Sequence, residues 1–204
     1  MSYQSFNSDF YFNQKENEMN EAANIKNGVN VDLLVNTVEA IKGDPDIAKF
    51  QFRAETKWVN GGHCRTEFQN FYGAKAEDTS RTKALVIEGD EPSVLLGEDH
   101  GANAVEAVLH ALASCLCVGF VYNASAQGIS IESLDFSLEG NLDLHTFLGL
   151  SETMRPGYEN IKVKYRVKAD APKEKLVELC AYVQKTSPVL DILRNPVSVT
   201  IEME

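Results

Sequence analysis

Two of the four cysteines, Cys115 and Cys117, lie in the apolar run LHALASCLCVGFVY at residues 109–122. A free cysteine packs well as a small hydrophobe. At the edge of a buried helix it is instead a nucleophile, provided a nearby cation favours the thiolate. Both readings are open here, and ASCLC carries no cation of its own. An activating side chain has to come from a distant segment or another subunit. Metal chemistry is not expected: Cys-x-Cys lacks the spacing of zinc sites, and residues two apart on a helix point roughly 200° apart. His63-Cys64 stands alone beside a turn. Glu106, His110, Ser114 and Cys117 follow at spacings of four, four and three, so they share a helix face. A Cys–His–Glu set fails on distance, since seven residues are about 10 Å of helix. That stripe is expected to meet solvent, a partner helix or a cavity. His100 and His145 fall in loops and are expected to be solvated.

The elements that must position these residues alternate between two periods. Residues 30–43, NVDLLVNTVEAIKG, read as an amphipathic helix capped by Asn30 and stopped at Gly43, with Leu33, Leu34, Val38 and Ile41 as its stripe. KFQFRAETKWV and HCRTEFQNFYG alternate on either side of NGG, a hairpin signal. TKALVIEG is a further strand, and DEPSVLLGEDHGAN a loop. A central helix is expected from Ala104, capped by Asn103, to about Gln127. It is apolar all round, so it needs cover on most sides. ISIESLDFSLEGNLD and YENIKVKYRVKAD read as strands, APKEKLVELCAYVQKT as a helix, SPVLDILRNP as a short turn or helix, and VSVTIEME as a closing strand. Strands with two long helices inserted predict an α+β fold. Residues 1–28 read as an irregular tail carrying the aromatics Phe6, Phe10, Tyr11 and Phe12. Residues 29–49 read as a helix and connector, and 50–204 as the main domain.

Composition narrows the function classes. Thirty acidic against nineteen basic side chains give a net charge of −11, which argues against nucleic-acid and anionic-membrane partners. The apolar run from 107 to 122 is shorter than the ~20 residues of a spanning helix and is interrupted by His110 and Ser114. The first twenty residues have no basic start and no apolar core, which predicts no secretion signal. A cytoplasmic location follows as the expectation, with its thiols reduced.

Four stretches, taken in order, resemble the OsmC/Ohr family of osmotically inducible and organic hydroperoxide resistance proteins. GANAVEAVLHALASCLCVGFVYNASAQGI (101–129) is similar to the family's central-helix signature, and TKWVNGGHCRTEF to its opening hairpin. MRPGYENIKVKYRV is similar to the strand before its second helix, and SPVLDILRNPVSV to its closing segment. The resemblance implies an intertwined homodimer with antiparallel sheets around two long central helices and sites at the subunit interface. It also implies a cofactor-free thiol peroxidase acting on organic hydroperoxides. The attacking cysteine is then Cys115, and a thiol reductant closes the cycle. Three departures accompany it. Ser187 stands where the peroxidases carry a second, resolving cysteine, and a serine cannot close a disulfide. The family's helix-start glutamate falls at Val105, with Glu106 the neighbouring acid, about 100° away. The activating arginine is matched best by Arg65, with Arg53 and Arg155 as fallbacks. These departures resemble an OsmC-like branch lacking the second cysteine. The alternative is a non-catalytic dimer that binds a small apolar ligand in the same cavity, with Cys115 as packing.

Overall fold

The computed structural model describes residues 23–203; the aromatics Phe6, Phe10, Tyr11 and Phe12 lie outside them. The fold is mixed α+β, with small antiparallel sheets and long helices, as expected. Two compact units divide it, one ending at Glu106 and one beginning at Ala107. Residues 50–204, which the sequence reads as one domain, thus contribute to both units.

In the first unit, β1 (Ile25–Lys26) pairs with β2 (Val29–Asn30). Asn27 and Gly28 between them both have positive φ, the conformation of a type I′ hairpin turn. The tail that reads as irregular to residue 28 therefore ends in a hairpin, signalled by an Asn-Gly pair. Helix α1 (Val31–Gly43) starts where expected: Asn30 Oδ1 accepts the Leu33 N–H at 3.0 Å. Strands β3 (Glu55–Asn60) and β4 (His63–Phe68) form the predicted hairpin around Gly61-Gly62. The hairpin is shorter than its alternating pattern, because β5 (Phe71–Gly73) turns away to pair with β6 (Ala76–Asp78). Strand β7 (Leu85–Gly89) pairs with β4, giving the order β3-β4-β7. Alternation puts His63, Arg65, Glu67 and Glu88 on one face of this sheet. Trp58, Cys64, Phe68, Leu85 and Ile87 lie on the other face, where Trp58, Leu85 and Ile87 remain exposed.

The loop after β7 closes on one carboxylate. Asp90, 4% exposed, accepts the backbone N–H groups of Glu91, Glu98 and His100 and binds His100 Nδ1 at 2.9 Å. His100, expected to be solvated, is half-exposed and stacks flat on His63 with ring centroids 4.5 Å apart. Its chain neighbours lead into α2 (Ala104–Ala126), which opens with a capping box. Glu106 N–H donates to Asn103 Oδ1 at 2.9 Å, and Glu106 Oε2 accepts the Asn103 N–H at 3.0 Å.

In the second unit, α2 ends in a Schellman motif: Ile129 N–H reaches Ala124 O, and Gly128 N–H reaches Ser125 O. Strands β8 (Ile131–Asn141) and β9 (Asn160–Ala169) form a long antiparallel ribbon, followed by α3 (Lys173–Thr186) and α4 (Pro188–Arg194). Leu112, Leu116, Phe120 and Ala124, each four residues from the next, are buried with Ile129, Leu179 and Val183. Each large side chain in that stripe contributes roughly 2 kcal/mol of apolar burial. The rest of α2 is not so covered, and Val118 and Tyr122 stay exposed. The expected closing strand is absent: residues 196–203 run unpaired, with Val197, Val199 and Ile201 exposed. A strand exists only against another edge, and the described residues supply none to that segment.

The Asp90 staple predicts a stability profile. Its hydrogen bonds hold the Asp90 carboxyl below its ordinary value of 3.8, so its contribution is present above that pH and lost as pH falls below it. The same pair raises His100 above 6.5, so that contribution is full below 6.5 and lost as pH rises through the higher folded value. Asp90→Ala, which takes the acceptor from three backbone N–H donors, is expected to lower the unfolding midpoint. Urea unfolding at pH ~5.5, between the two windows, measures this, and an unchanged midpoint would refute it.

Candidate active site

The candidate site is built where α2 meets α3. A Cβ on Gly119 would lie 3.1 Å from Val183 Cγ1, so any larger residue there would make the buried Val183 side chain give by a few tenths of an ångström. One turn earlier on α2 and one turn later along the chain from Val183, Cys115 Sγ lies 3.1 Å from Ser187 Oγ. The opposite order of the two contacts makes the helices antiparallel. Ser187 is 5% exposed and caps α4, its Oγ accepting the Leu190 N–H at 3.2 Å. With one lone pair engaged there, the hydroxyl hydrogen is free to point at sulfur. A thiolate at Cys115 would receive it as a charge-assisted hydrogen bond. The two segments that the sequence could link only through resemblance thus meet at hydrogen-bond distance.

The other cysteines are all free thiols and half-buried. Cys180 packs against the core, where burial pushes its thiol pKa up. Cys64 lies under the backbone of Gly89, across the sheet from Trp58. Ser114 and His110 are exposed and touch at 3.4 Å, so that part of the polar stripe meets solvent.

Arg65 and Glu106 belong to the first unit. Arg65 Nη1 donates to Glu88 Oε1 at 2.9 Å, and its Nε lies 3.5 Å from Glu67. Glu88 also holds His63 Nε2 at 3.0 Å. The carboxylate that grips Arg65 is therefore Glu88, while Glu106 is engaged in the helix cap. Arg53 is paired with Glu77. No group of three or more metal-ligating side chains occurs among the described residues.

Sequence reasoning misses two sets. The Arg65–Glu88–His63 and His100–Asp90 contacts join residues 10 to 25 apart in sequence, brought together by β4–β7 pairing and the loop closure. Tyr165 reads in the sequence as one more residue of an alternating strand. Its phenolic oxygen is buried with no hydrogen-bond partner among the described residues.

A family model described as OsmC-like protein matches residues 97–202, more than half of the chain and the whole Cys115–Ser187 pair. The chain belongs to the OsmC family. Among solved structures it is similar to an OsmC-like protein from Mycoplasma pneumoniae at 15% identity and TM-score 0.52, covering 72% of this chain and 89% of that one. An organic hydroperoxide resistance protein OsmC from Legionella pneumophila matches at 19% identity and TM-score 0.46, covering 71% and 89%. An OsmC-like protein of unknown function from Vibrio cholerae matches at 14% and 0.48, covering 69% and 92%. At such identities the likeness is one of fold. No curated protein matches this OsmC-family sequence.

The Cys115–Ser187 distance generates a direct test. Ser187→Cys places a second sulfur within reach of the first, needing only the small approach that disulfide geometry demands. Peroxide treatment is expected to join Cys115 to the thiol introduced at position 187 in the variant, and to give no internal disulfide in the natural chain. Non-reducing peptide mapping reads both, and a clean disulfide in the natural chain would show that another cysteine resolves Cys115.

Proposed function

We propose that this OsmC-family protein is a thiol-dependent peroxidase that reduces organic hydroperoxides through Cys115, using an external thiol as reductant. The observation that carries the reading is the half-buried Cys115 thiol, 3.1 Å from the buried Ser187 hydroxyl. In the proposed step, the Cys115 thiolate attacks the terminal oxygen of R–O–O–H. An S–O bond forms as the O–O bond breaks, the alkoxide takes the sulfenic proton and leaves as an alcohol, and sulfur is oxidised by two electrons. A first external thiol condenses with the sulfenic acid, releasing water and leaving a mixed disulfide. A second thiol then displaces Cys115 as the free thiol. The external donor follows from Ser187, which cannot supply the second sulfur. No cofactor enters the cycle, and it belongs in a reducing compartment such as the cytoplasm.

Arg65 is the cation assigned to favour the thiolate, with Glu88 as its holder. The protein is further proposed to act as a homodimer. Three features support this: the uncovered faces of α2, the exposed apolar face of β3-β4-β7, and the unpaired C-terminal segment with its exposed alternate residues. Each wants a partner surface or edge that one chain leaves unfilled.

Mass spectrometry after one equivalent of an organic hydroperoxide is expected to find a single added oxygen on the Cys115 peptide, lost again on adding a dithiol. Cys115→Ser should remove turnover entirely. An unreactive Cys115 would assign the protein to ligand binding instead. Arg65→Ala should slow alkylation of Cys115 by iodoacetamide at neutral pH; an unchanged rate removes Arg65 from the site. Sedimentation at micromolar concentration is expected to give a dimer, and a stable folded monomer would refute that part.

A further inference from the structure

His63 of β4 and His100 of the loop after β7 lie ring on ring, with centroids 4.5 Å apart and planes 4° from parallel. Each imidazole is tied to its own carboxylate. His100 Nδ1 binds Asp90 Oδ2 at 2.9 Å, and His63 Nε2 binds Glu88 Oε2 at 3.0 Å. An ionised carboxylate only accepts, so the bonding hydrogen sits on Nδ1 of His100 and on Nε2 of His63. The other oxygen of Glu88, Oε1, accepts from Arg65 Nη1 at 2.9 Å. Asp90, His100, His63, Glu88 and Arg65 therefore form one unbroken series of contacts, all within the first unit.

The series runs from a fixed end to a loose one. The Asp90 side chain is buried and held by three backbone N–H groups, while the Arg65 side chain at the other end is 49% exposed. A half-exposed arginine paired with one carboxylate is not fixed by that pair, because both side chains keep rotamer freedom and water weakens the attraction. Glu88 differs in that its two oxygens are claimed by two donors, His63 and Arg65, on the same sheet face. Turning the carboxylate towards one donor loses the other. His63 keeps its claim only while its ring keeps its plane, and the stack on His100 sets that plane. A phenylalanine at position 63 would stack without donating, and a glutamine would donate without stacking. The other charges on this face are Glu67, 3.5 Å from Arg65 Nε, with Lys57 and Glu55 opposite Arg65 and Glu67 on β3. Among the described residues, Glu88 has no side-chain partner besides Arg65 and His63.

We infer that His63, stacked on His100, is a positioning residue for the Arg65 guanidinium and acts on it through Glu88. The loop closed by Asp90 thereby sets where the charge of Arg65 stands. The use made of that charge rests on the proposed role of Arg65 at Cys115, whereas the positioning itself stands on the contacts within the first unit. His63 makes and breaks no bond in this role. Its contribution is a guanidinium already oriented, which need not be ordered at the moment of reaction.

The test follows Arg65 in the full chain by NMR of the arginine side chains, its Nε–H signal being the one that Arg65→Lys removes. His63→Phe is expected to speed exchange of that N–H with water about tenfold, the order of effect of a hydrogen bond to a charged group. His63→Gln restores the donor and should recover most of the difference. A residue that merely filled space would give the reverse order, because phenylalanine is the better replacement for the ring. In His63→Phe, alkylation of Cys115 by iodoacetamide at neutral pH should fall to the Arg65→Ala rate, and the double variant should be no slower. The wild type supplies a check should His63→Phe fail to fold. At pH ~8, where an ordinary imidazole is neutral, ring nitrogen shifts are expected to report the Nε2–H tautomer of His63. The Nδ1–H tautomer, which cannot donate to Glu88, overturns the proposal, and so does unchanged Arg65 exchange in a folded His63→Phe. Faster exchange with Cys115 alkylation unmoved in every variant upholds the positioning and overturns the assignment of Arg65 to Cys115 instead.

Discussion

The close approach of α2 to α3 at Gly119 is the constraint from which the candidate site follows. With no Cβ at that position, the Val183 side chain packs against the helix without having to shift. One turn away along each segment, the same approach leaves room between Cys115 and Ser187 for a hydrogen bond and nothing larger. The fully buried stripe of Leu112, Leu116 and Phe120 locks the helix rotation, so Cys115 cannot turn away without exposing that stripe to water. Tyr165 of the β8–β9 ribbon lies beside Phe120, ring centroids 6.4 Å apart. Thiol and hydroxyl thus owe their positions to apolar packing rather than to each other.

Ser187 has two duties that explain why a hydroxyl is well accommodated there. It caps α4, and serine ranks among the best N-cap residues because its short side chain reaches the N–H of the third helical residue. A cysteine is a poor acceptor and would leave that N–H short of a partner. A chain with serine here therefore has a firmer start to α4, and it gives up the internal sulfur that would end the oxidised state quickly. On the proposed reading, the consequence is a long-lived sulfenate whose fate depends on what surrounds its oxygen.

The elements are legible in the sequence where local chemistry decides them. Asn30 and Asn103 read as caps from residue type and position, and both accept the expected backbone N–H. The hairpin at NGG and the ribbon of β8 and β9 follow from alternation. What escapes is decided by pairing across distance. Nothing near Arg65 in sequence points to Glu88, which becomes its neighbour only once β4 and β7 are in register. His100 looks like a loop residue because its partner, Asp90, lies at the other end of that loop. The apolar alternation of VSVTIEME reads as a strand, yet period alone cannot supply the edge that makes one. At the site, the sequence names Cys115 and Ser187 by resemblance, while the distance between them has to come from the fold.

The surfaces left uncovered favour a protein partner over a lipid one. Helix α2 is long and apolar enough to cross a membrane by length and composition. A span, however, must satisfy all its backbone groups within itself, and it must not depend on a polar ribbon for cover. The buried stripe of α2 packs on β8 and β9, whose outer faces carry ion pairs such as Lys162–Glu139 and Lys168–Glu132. The unpaired segment 196–203 exposes backbone N–H and C=O groups that hydrocarbon cannot accept but another strand can. Its alternate Val197, Val199 and Ile201 would then face an apolar surface, as strand period requires. A second copy of this chain offers both kinds of surface at once, an exposed sheet and an uncovered helix face, which is why the proposed assembly is a homodimer rather than a membrane insertion.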